Sequence, residues 1–233
     1  MLETVFHLSS LGRQVLGRFG RAGISARLFL NARWRWTPYE QIASRVPAKG
    51  IILDLGSGHG LLSLAMSLSE PQRKIRGIDH EPSRVAMAQH AATGLTNLEF
   101  ATGNLLEAVA DDGLRGNVAA IVILDALHYL TAAEQEIFLA HCRRALQPGG
   151  VLLIRDVDAD AGNSFFINRF YERTMTGLGF TRADRLNFRP RGEWHQLLAS
   201  AGFESASEPC SRFPFADLLF VSRLSAAQAA LAA

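Results

Sequence analysis

Residues 51–60 constrain the fold more than any other stretch of the chain. They combine an apolar run, an acid at position 54 and glycines at 56, 58 and 60, and the apolar-periodic residues 61–68 follow directly. This order is typical of a buried strand, a tight loop and the start of a helix. Glycine leaves room for a ligand against the backbone, and the first turn of a helix offers unpaired N–H groups to polar or anionic atoms. We therefore expect a ligand to lie across this loop.

The next two predicted strands end in side chains suited to a nucleotide. The strand pattern at 74–79 ends in Asp79. An acid at such a strand end can accept both hydrogen bonds from a ribose diol, although Asp79 could instead only begin the turn before Pro82. The third strand, 97–102, is followed by Asn104, whose amide can accept and donate hydrogen bonds or can cap the helix that follows.

A fourth apolar strand, residues 118–124, leads into polar and aromatic side chains. Asp125, His128 and Tyr129 follow it closely. In an open parallel sheet, ligands lie beyond the carboxyl ends of the strands. These three side chains are therefore expected to border a reaction centre.

Two pairs of residues have the spacing of a capping box, in which a Thr and a Glu three residues later each accept a hydrogen bond from the other's backbone N–H. Thr37 and Glu40 predict a short helix with Pro38 at its first position. Thr131 and Glu134 predict a longer helix after the fourth strand.

The glycine loop lacks the spacing of a dinucleotide-binding fingerprint. The third glycine of G-x-G-x-x-G would stand at position 61, which is Leu61. The pattern Asp-x-Gly-x-Gly-x-Gly at residues 54–60 instead resembles the first motif of the class I S-adenosylmethionine (SAM)-dependent methyltransferases. Asp79 at the end of the second strand and Leu-x-Pro-Gly-Gly at residues 146–150 are similar to further parts of the same family.

The resemblance implies an α/β fold. In this fold a Rossmann-like, doubly wound and mostly parallel seven-stranded sheet carries an antiparallel edge strand, an N-terminal helical extension and a helical lid after the fifth strand. The similarity is strong over residues 50–156 and loose afterwards. We expect a basic helical extension at 1–36, a methyltransferase domain at 37–223 with its substrate lid at 157–190, and an Ala-rich tail at 224–233.

The resemblance also implies SAM as the cofactor. In the family, the first acid and the glycine loop hold the methionine part, and the acid after the second strand holds the ribose. The family usually has an acid where this chain has Asn104, although the amide oxygen of Asn can still accept a hydrogen bond. The cofactor-binding residues expected on this basis are Asp54, Gly56, Ser57, Gly58, Gly60, Asp79, His80, Asn104, Leu105 and Asp125.

The reaction implied is methyl transfer to a small organic acceptor, at the oxygen of an aromatic or of a lipid- or polyketide-like compound, with carbon as the next choice. An acceptor that must lose a proton needs a general base, and His128 is the candidate because histidine titrates near neutrality. Its alternative role is packing. The expected substrate contacts are Tyr39, Tyr129, Asp156 and His195. A SAM-binding module without methyl transfer and a nicotinamide-dependent dehydrogenase remain alternatives.

The first 36 residues contain six arginines and one acid, Glu3. A basic amphipathic segment of this kind can contact a membrane surface or an acidic carrier protein. The other interpretation is a helical cover over the domain, with its arginines in solvent.

Composition argues against several classes of protein. Cys142 and Cys210 are too few and too far apart for a disulfide framework or a zinc site, which favours a reducing compartment and a cytoplasmic location. The acids at 156, 158 and 160 are out of register with a calcium-binding loop, so no metal is expected. The net charge of +2, the absence of a Lys/Arg-rich run and the lack of any apolar run near about 18 residues argue against a nucleic-acid partner and a membrane span.

Overall fold

A computed structural model describes residues 8–162, 186–211 and 215–225 of the 233. Within these ranges the strands form one sheet flanked by helices. The strands are β1 Gly50–Leu55, β2 Arg73–Asp79, β3 Leu98–Thr102, β4 Val118–Leu124, β5 Leu146–Val157, β6 Phe203–Pro209 and β7 Asp217–Leu224. The helices are α1 Ser10–Gly17, α2 Ile24–Trp36, α3 Tyr39–Ser44, α4 Leu61–Ser69, α5 Pro82–Ala91, α6 Leu105–Ala110, α7 Ala132–Ala145 and α8 Arg191–Ser200.

The sheet is mostly parallel, with strand order β3-β2-β1-β4-β5-β7-β6. β1 pairs in parallel with both β2 and β4, whereas β7 runs antiparallel to β5 and β6. The strand order reverses direction between β1 and β4, which is where doubly wound sheets open a ligand crevice beyond their strand ends. The predicted fold class is confirmed.

The sheet is buried on both faces because helices cover each of them. Residues 118–123 of β4 are at most 1% exposed, which explains their uninterrupted apolar sequence. Neighbouring residues of one strand enter different cores: Ile52 packs with α1–α5, and Leu53 packs with α6–α8. Alternation along β1 therefore supplies both halves of the core.

The N-terminal helices pack against the domain as a cover. The α1 helix approaches α2 so closely that a Cβ on Gly12 would lie 2.7 Å from the indole nitrogen of Trp34. Arg18 donates to the Ala91 carbonyl at 2.7 Å, at the end of α5. The helical-cover interpretation describes this packing, but not all of the arginines face solvent.

A buried arginine joins α3 to α4. Arg73, at the start of β2, is 3% exposed. Its guanidinium donates at 2.8–3.1 Å to the carbonyls of Ala43, Val46, Pro47 and Met66 and to the hydroxyl of Ser69. A cation is favourable at these helix ends because the last carbonyls of each helix point towards it.

One of the two predicted capping boxes is wrong. The α3 helix begins at Tyr39 with Pro38 as its N-cap and has no side-chain cap, because Glu40 accepts a hydrogen bond from the Ser9 hydroxyl instead. The capping box of Thr131 and Glu134 is confirmed at the start of α7.

Among the described helices, none is both long and apolar enough to cross a membrane. Most of the predicted lid, and the predicted tail from residue 226 onwards, lie outside the described residues.

Candidate functional site

The glycine loop between β1 and α4 adopts a backbone that other residues rarely adopt. Gly56, Gly58 and Gly60 have φ values of 75°, 55° and 81°. A Cβ on Gly56 would lie 2.9 Å from that of Ala126, and one on Gly60 would lie 2.5 Å from the ring of Phe100. Gly58 has nothing within 4 Å of its Cβ position, so it faces open space. Two of the glycines thus allow close packing, and the middle one leaves room for a ligand.

A cavity of about 440 Å³ lies over this loop at the carboxyl ends of β1, β2 and β4. Its size is within the range of small-molecule sites. The described residues that line it are Phe29, Leu30, Arg33, Tyr39, Asp54, Gly56, Ser57, Gly58, His59, Leu61, Leu62, Ile78, Asp79, His80, Arg84, Gly103, Asn104, Leu105, Leu124, Asp125, Ala126, Tyr129 and Leu130. Of the ten cofactor-binding residues predicted from the sequence, nine are in this set.

Gly60 is the exception. It is buried and is the N-cap of α4, where its positive φ starts the helix and its missing Cβ makes room for Phe100. Its role in the structure is therefore to shape the loop, and it does not line the cavity.

Asp79 holds the glycine loop against the end of β2. Its carboxylate accepts hydrogen bonds from the Gly58 amide at 2.8 Å and the Glu81 amide at 2.9 Å. A carboxylate has about four lone-pair sites, so two remain for a ligand in the cavity. Next to it, His80 lines the cavity with its ring nitrogen 3.6 Å from the carboxylate. This geometry suits a ribose diol over β2.

Asn104 and Leu105 lie on the same side of the cavity. The Asn104 side chain accepts from the Leu106 amide at 2.7 Å and caps α6, as one of its two predicted roles requires. Capping occupies the amide oxygen but leaves the NH₂ group of Asn104 able to donate.

Asp54, at the end of β1, is an acid held in an apolar setting. It is 2% exposed and accepts a hydrogen bond from the Ser63 hydroxyl. Burial raises the pKa of Asp54 to about 6, and the nearby charge of Asp79 contributes to the rise. A cationic ligand group beside Asp54 would stabilise its charged form.

Asp125 follows β4 and belongs to a chain of alternating charges. Arg33 of α2 contacts it at 2.5 Å, and Arg155 of β5 bridges it to Asp217, with the second contact at 2.5 Å. Burial alone would raise the pKa of Asp125, but the two guanidinium groups outweigh it and hold that pKa below its usual value. Asp125 is therefore an anion at the cavity wall.

His59 in the glycine loop and Phe29 on α2 connect the cover to the site. Their ring centroids are 5.7 Å apart, and both line the cavity. Burial lowers the pKa of His59 to about 4, with a further contribution from Arg84. His59 is thus a neutral wall residue near pH 7.

His128 and Asp156 form a buried pair behind the cavity wall. His128 lies in a short 3₁₀ turn after β4, and its Nδ1 is 2.7 Å from Oδ1 of Asp156 on β5; both side chains are fully buried. The ring of His128 is 4.3 Å from that of Tyr129 and 4.6 Å from that of Phe188. Tyr129 lines the cavity but neither member of the pair does, so the expected direct contact of Asp156 with substrate is absent from this geometry.

The position of His195 corrects the prediction that it contacts the substrate. Its ring nitrogens lie 2.7 and 2.9 Å from the hydroxyls of Ser205 and Ser207 on β6, and its ring packs on Phe220. It therefore holds α8 to the edge of the sheet and is not at the cavity.

The sequence interpretation missed several residues of the wall. These are Phe29, Leu30 and Arg33 of α2, together with His59 and Arg84. In α2 the only local signal is the spacing of four between Phe29 and Arg33, which places them on one face of the helix. That spacing does not show which surface the helix covers.

Comparison with known proteins agrees with this geometry. Residues 52–150 match the family model described as a methyltransferase domain. Aclacinomycin 10-hydroxylase RdmB of Streptomyces purpurascens is 31% identical over 169 residues, which are 69% of this chain and 41% of that protein. The chain thus spans well under two thirds of that relative.

Solved structures with the same fold include two small-molecule O-methyltransferases. The mitomycin 7-O-methyltransferase MmcR superposes with a TM-score of 0.63 at 19% identity, over 80% of this chain and 53% of that one. The O-methyltransferase NcsB1 from neocarzinostatin biosynthesis, in complex with SAM and 2-hydroxy-5-methyl naphthoic acid, gives a TM-score of 0.58 at 24% identity, over 80% and 53% of the two chains.

The sheet order, the glycine loop and the acids at the ends of β1 and β2 define a Rossmann-like nucleotide-binding domain of the methyltransferase type. Residues 52–150 belong to the methyltransferase-domain family, and the fold and the site are consistent with a class I SAM-dependent methyltransferase. Its cofactor is SAM, and the site fits that cofactor because Gly58 leaves open space, Asp79 faces the cavity and Asp54 is a buried acid suited to a cation.

Proposed function

We propose that this protein transfers the methyl group of SAM to an oxygen atom of a small organic acceptor, with an aromatic compound as the first choice. The observation that carries the proposal is the course of the cavity. It extends from the glycine loop past Asp125 to Tyr129 and Leu130, beyond the end of β4, where an acceptor would face the methyl group. Two structural neighbours are O-methyltransferases, and one of them was solved with a hydroxylated naphthoic acid.

The protein's first task in this reaction is to hold and orient the cofactor. In this proposal Asp79 accepts from the ribose hydroxyls and Asp54 pairs with the ammonium of the methionine part; the position of Asp79 at the cavity and the burial of Asp54 support these roles. SAM supplies a methyl group already activated on a sulfonium, so alignment with the acceptor is the main requirement. Orientation of this kind can contribute about 7–11 kcal/mol.

The second task is to remove the acceptor's proton, and we assign it to His128. With the Nδ1 proton donated to Asp156, the basic lone pair of the neutral ring is on Nε2. An imidazolium formed on proton uptake would be stabilised by the adjacent carboxylate. Tyr129 packs against His128 and lines the cavity, whereas His128 does not line it, so in this proposal the Tyr129 ring moves aside or passes the proton on during turnover.

Tyr39 and Tyr129 are the proposed substrate contacts, since both line the cavity. Their rings offer flat apolar surface with a polar tip, which suits an aromatic acceptor.

A second candidate is a SAM-binding protein that does not transfer the methyl group. Two observations favour it: a relative with 31% identity is named as a hydroxylase, and His128 is enclosed in this conformation. The two candidates differ in the fate of the methyl group.

The test is to incubate the protein with methyl-labelled SAM and a panel of phenols, hydroxynaphthoates and hydroquinones. We expect label in at least one product, and a His128→Asn variant that binds SAM normally but turns over about 10²–10⁴-fold more slowly. Between pH 6 and 9 the wild-type rate should rise with pH, because a general base must be unprotonated to act, and the variant should lack this rise. SAM binding without label in any product would instead favour the second candidate.

A further inference from the structure

Arg33 brings a positive charge into the cavity from outside the matched methyltransferase domain. It lies on α2, whereas the family match begins at residue 52. Its side chain is 27% exposed and lines the cavity, with Nη2 2.5 Å from Oδ2 of Asp125. This contact joins residues 92 positions apart in the chain. The α2 helix is therefore fastened to the end of β4.

The charges of the cavity wall are divided between its two ends. The end over β2 contains Asp79 and Arg84. The end over β1 and β4 contains Asp54, Asp125 and Arg33. His59 is neutral near pH 7 because its pKa is lowered to about 4. Among the described residues that line the cavity, Arg33 is thus the permanent cation at the end opposite the ribose-binding acid.

The cofactor has a matching division of charge. Its ribose belongs over β2, so its methionine part lies over β1 and β4, where the strand order reverses. That part carries an ammonium and a carboxylate. The acids at the ends of β1 and β4 suit the ammonium, and a guanidinium suits the carboxylate because it can donate two parallel hydrogen bonds.

Arg155 allows Arg33 to turn towards a ligand. If Arg33 leaves Asp125, that carboxylate keeps its contact with Arg155, which is itself held by Asp217 and by the Cys210 carbonyl at 2.8 Å. Asp125 is therefore not left as an uncompensated buried charge, which would be strongly unfavourable.

The backbone conformation of Asp125 is also typical of a ligand-binding site. Among the described residues other than glycine, it is the one with a positive φ, at 54°. Residues held in the left-handed region cost of order 1–3 kcal/mol and concentrate at ligand sites. The surrounding ion pairs hold this conformation in place.

We propose that Arg33 binds the carboxylate of the cofactor's methionine part, so that α2 contributes a cofactor-binding residue in addition to covering the domain. The inference deepens the cofactor half of the proposed function and rests on it. It does not depend on whether a methyl group is transferred.

Isothermal titration without any acceptor tests it. The probes are SAM, its demethylated product, decarboxylated SAM, which lacks only the carboxylate, and 5′-methylthioadenosine, which lacks the whole amino-acid part. The variants are Arg33→Met, Arg33→Lys and a control, Arg27→Met, which changes an exposed arginine on the same helix. Melting curves and circular dichroism establish that each variant is folded.

We expect Arg33→Met to weaken SAM and its demethylated product by about 10- to 100-fold, the usual range for losing a hydrogen bond to a charged group. Decarboxylated SAM and methylthioadenosine should change less than about twofold, and Arg33→Lys should recover part of the loss. The control should match the wild type. Equal weakening of all four probes would overturn the inference, because it would mean that Arg33 only holds α2 in place, and so would no weakening of SAM.

Failure of the proposed function gives a different result. If no acceptor is ever methylated, the pattern across the four probes still supports or overturns the role of Arg33. If wild-type protein does not bind SAM at all, the cofactor assignment and this inference fall together.

Discussion

Replacing Asp54 by Asn should make the unliganded protein more stable while it weakens cofactor binding. The carboxylate is buried, and its pKa is raised from 3.8 to about 6. A shift of this size means that the ionised form is disfavoured in the folded protein by about 3 kcal/mol, at about 1.36 kcal/mol per pKa unit. Asn is neutral and nearly isosteric, and its amide oxygen can still accept from Ser63.

The sign of the effect follows from the raised pKa. For a group whose folded pKa is above its unfolded value, the contribution to stability is complete below pH 4 and is lost as the pH rises through about 6. At pH 7.5 the wild type therefore has the full destabilising contribution, which the Asp54→Asn variant would not have. We expect Asp54→Asn to raise the free energy of unfolding by about 1–3 kcal/mol, and Tm by about 3–10 °C for a chain of this length.

Cofactor binding should respond in the opposite direction. An ammonium beside Asp54 favours its charged form, so affinity should be constant above about pH 7 and fall about tenfold by pH 5. In Asp54→Asn the affinity should be lower by about 10- to 100-fold, and this pH dependence should vanish. Ser63→Ala is the matched control: it removes the hydrogen bond that lowers the pKa of Asp54, so the midpoint should move to higher pH.

Scanning calorimetry of the unliganded proteins at pH 5 and 7.5, and titration with SAM across this range, measure both effects. A lower Tm for Asp54→Asn at pH 7.5 would refute the conclusion that the ionised Asp54 carboxylate destabilises the folded protein. An unchanged SAM affinity would refute its pairing with the ammonium.

Two further substitutions test the account of the fold. Arg73→Met should lower the free energy of unfolding by about 2–4 kcal/mol in urea denaturation, because it leaves helix-end carbonyls buried without donors. Arg73→Lys should recover only part of this loss because lysine has fewer donors. A change below about 0.5 kcal/mol would contradict the conclusion that Arg73 joins α3 to α4. His195→Ala should leave SAM affinity and turnover within about twofold of the wild type, because the contacts of His195 are with β6. It should lower the stability measured by thermal melting by about 1–2 kcal/mol. A large loss of turnover with unchanged stability would show instead that His195 contacts the substrate.

The parts of the site that could be predicted are those specified by local sequence. Asp54 and Asp79 end apolar strands, and the glycines between them need a backbone that only glycine adopts readily, so pattern alone locates them. Parallel pairing of β1 and β2 then places the two acids at one edge of the sheet. Each of these residues is identified by its own local pattern.

The missed residues depend on long-range packing. Arg33 meets a partner 92 positions away, and nothing in the sequence of α2 indicates which surface that helix will cover. The error at Thr37 has the same origin. The spacing of a capping box is present, but Ser9 of a distant segment binds Glu40 instead. Local propensity is overridden where a tertiary partner is available.

The prediction for His195 is wrong because its resemblance to the family is loose and topology decides its position. It packs on β6, which the strand order puts four strands from β1. The proposed acceptor end of the cavity lies beyond β4, which is three strands from β6. At about 4.8 Å per strand this is roughly 14 Å, which keeps a side chain packed on β6 away from the acceptor. Strand order, which single-sequence patterns do not specify, was the missing information.

The unfavourable features of this fold concentrate at the ends of the three strands around the reversal point. Asp54 after β1 is buried with a raised pKa, and Asp125 after β4 has a positive φ. Asp156 on β5 is fully buried, and its Oδ2 has no hydrogen-bond partner among the described residues. A polar atom left in this state costs about 1–3 kcal/mol, and packing alone would be better served by an apolar residue. In the proposed function each acid has a positive charge beside it: the cofactor ammonium near Asp54 and Asp125, and a protonated His128 beside Asp156.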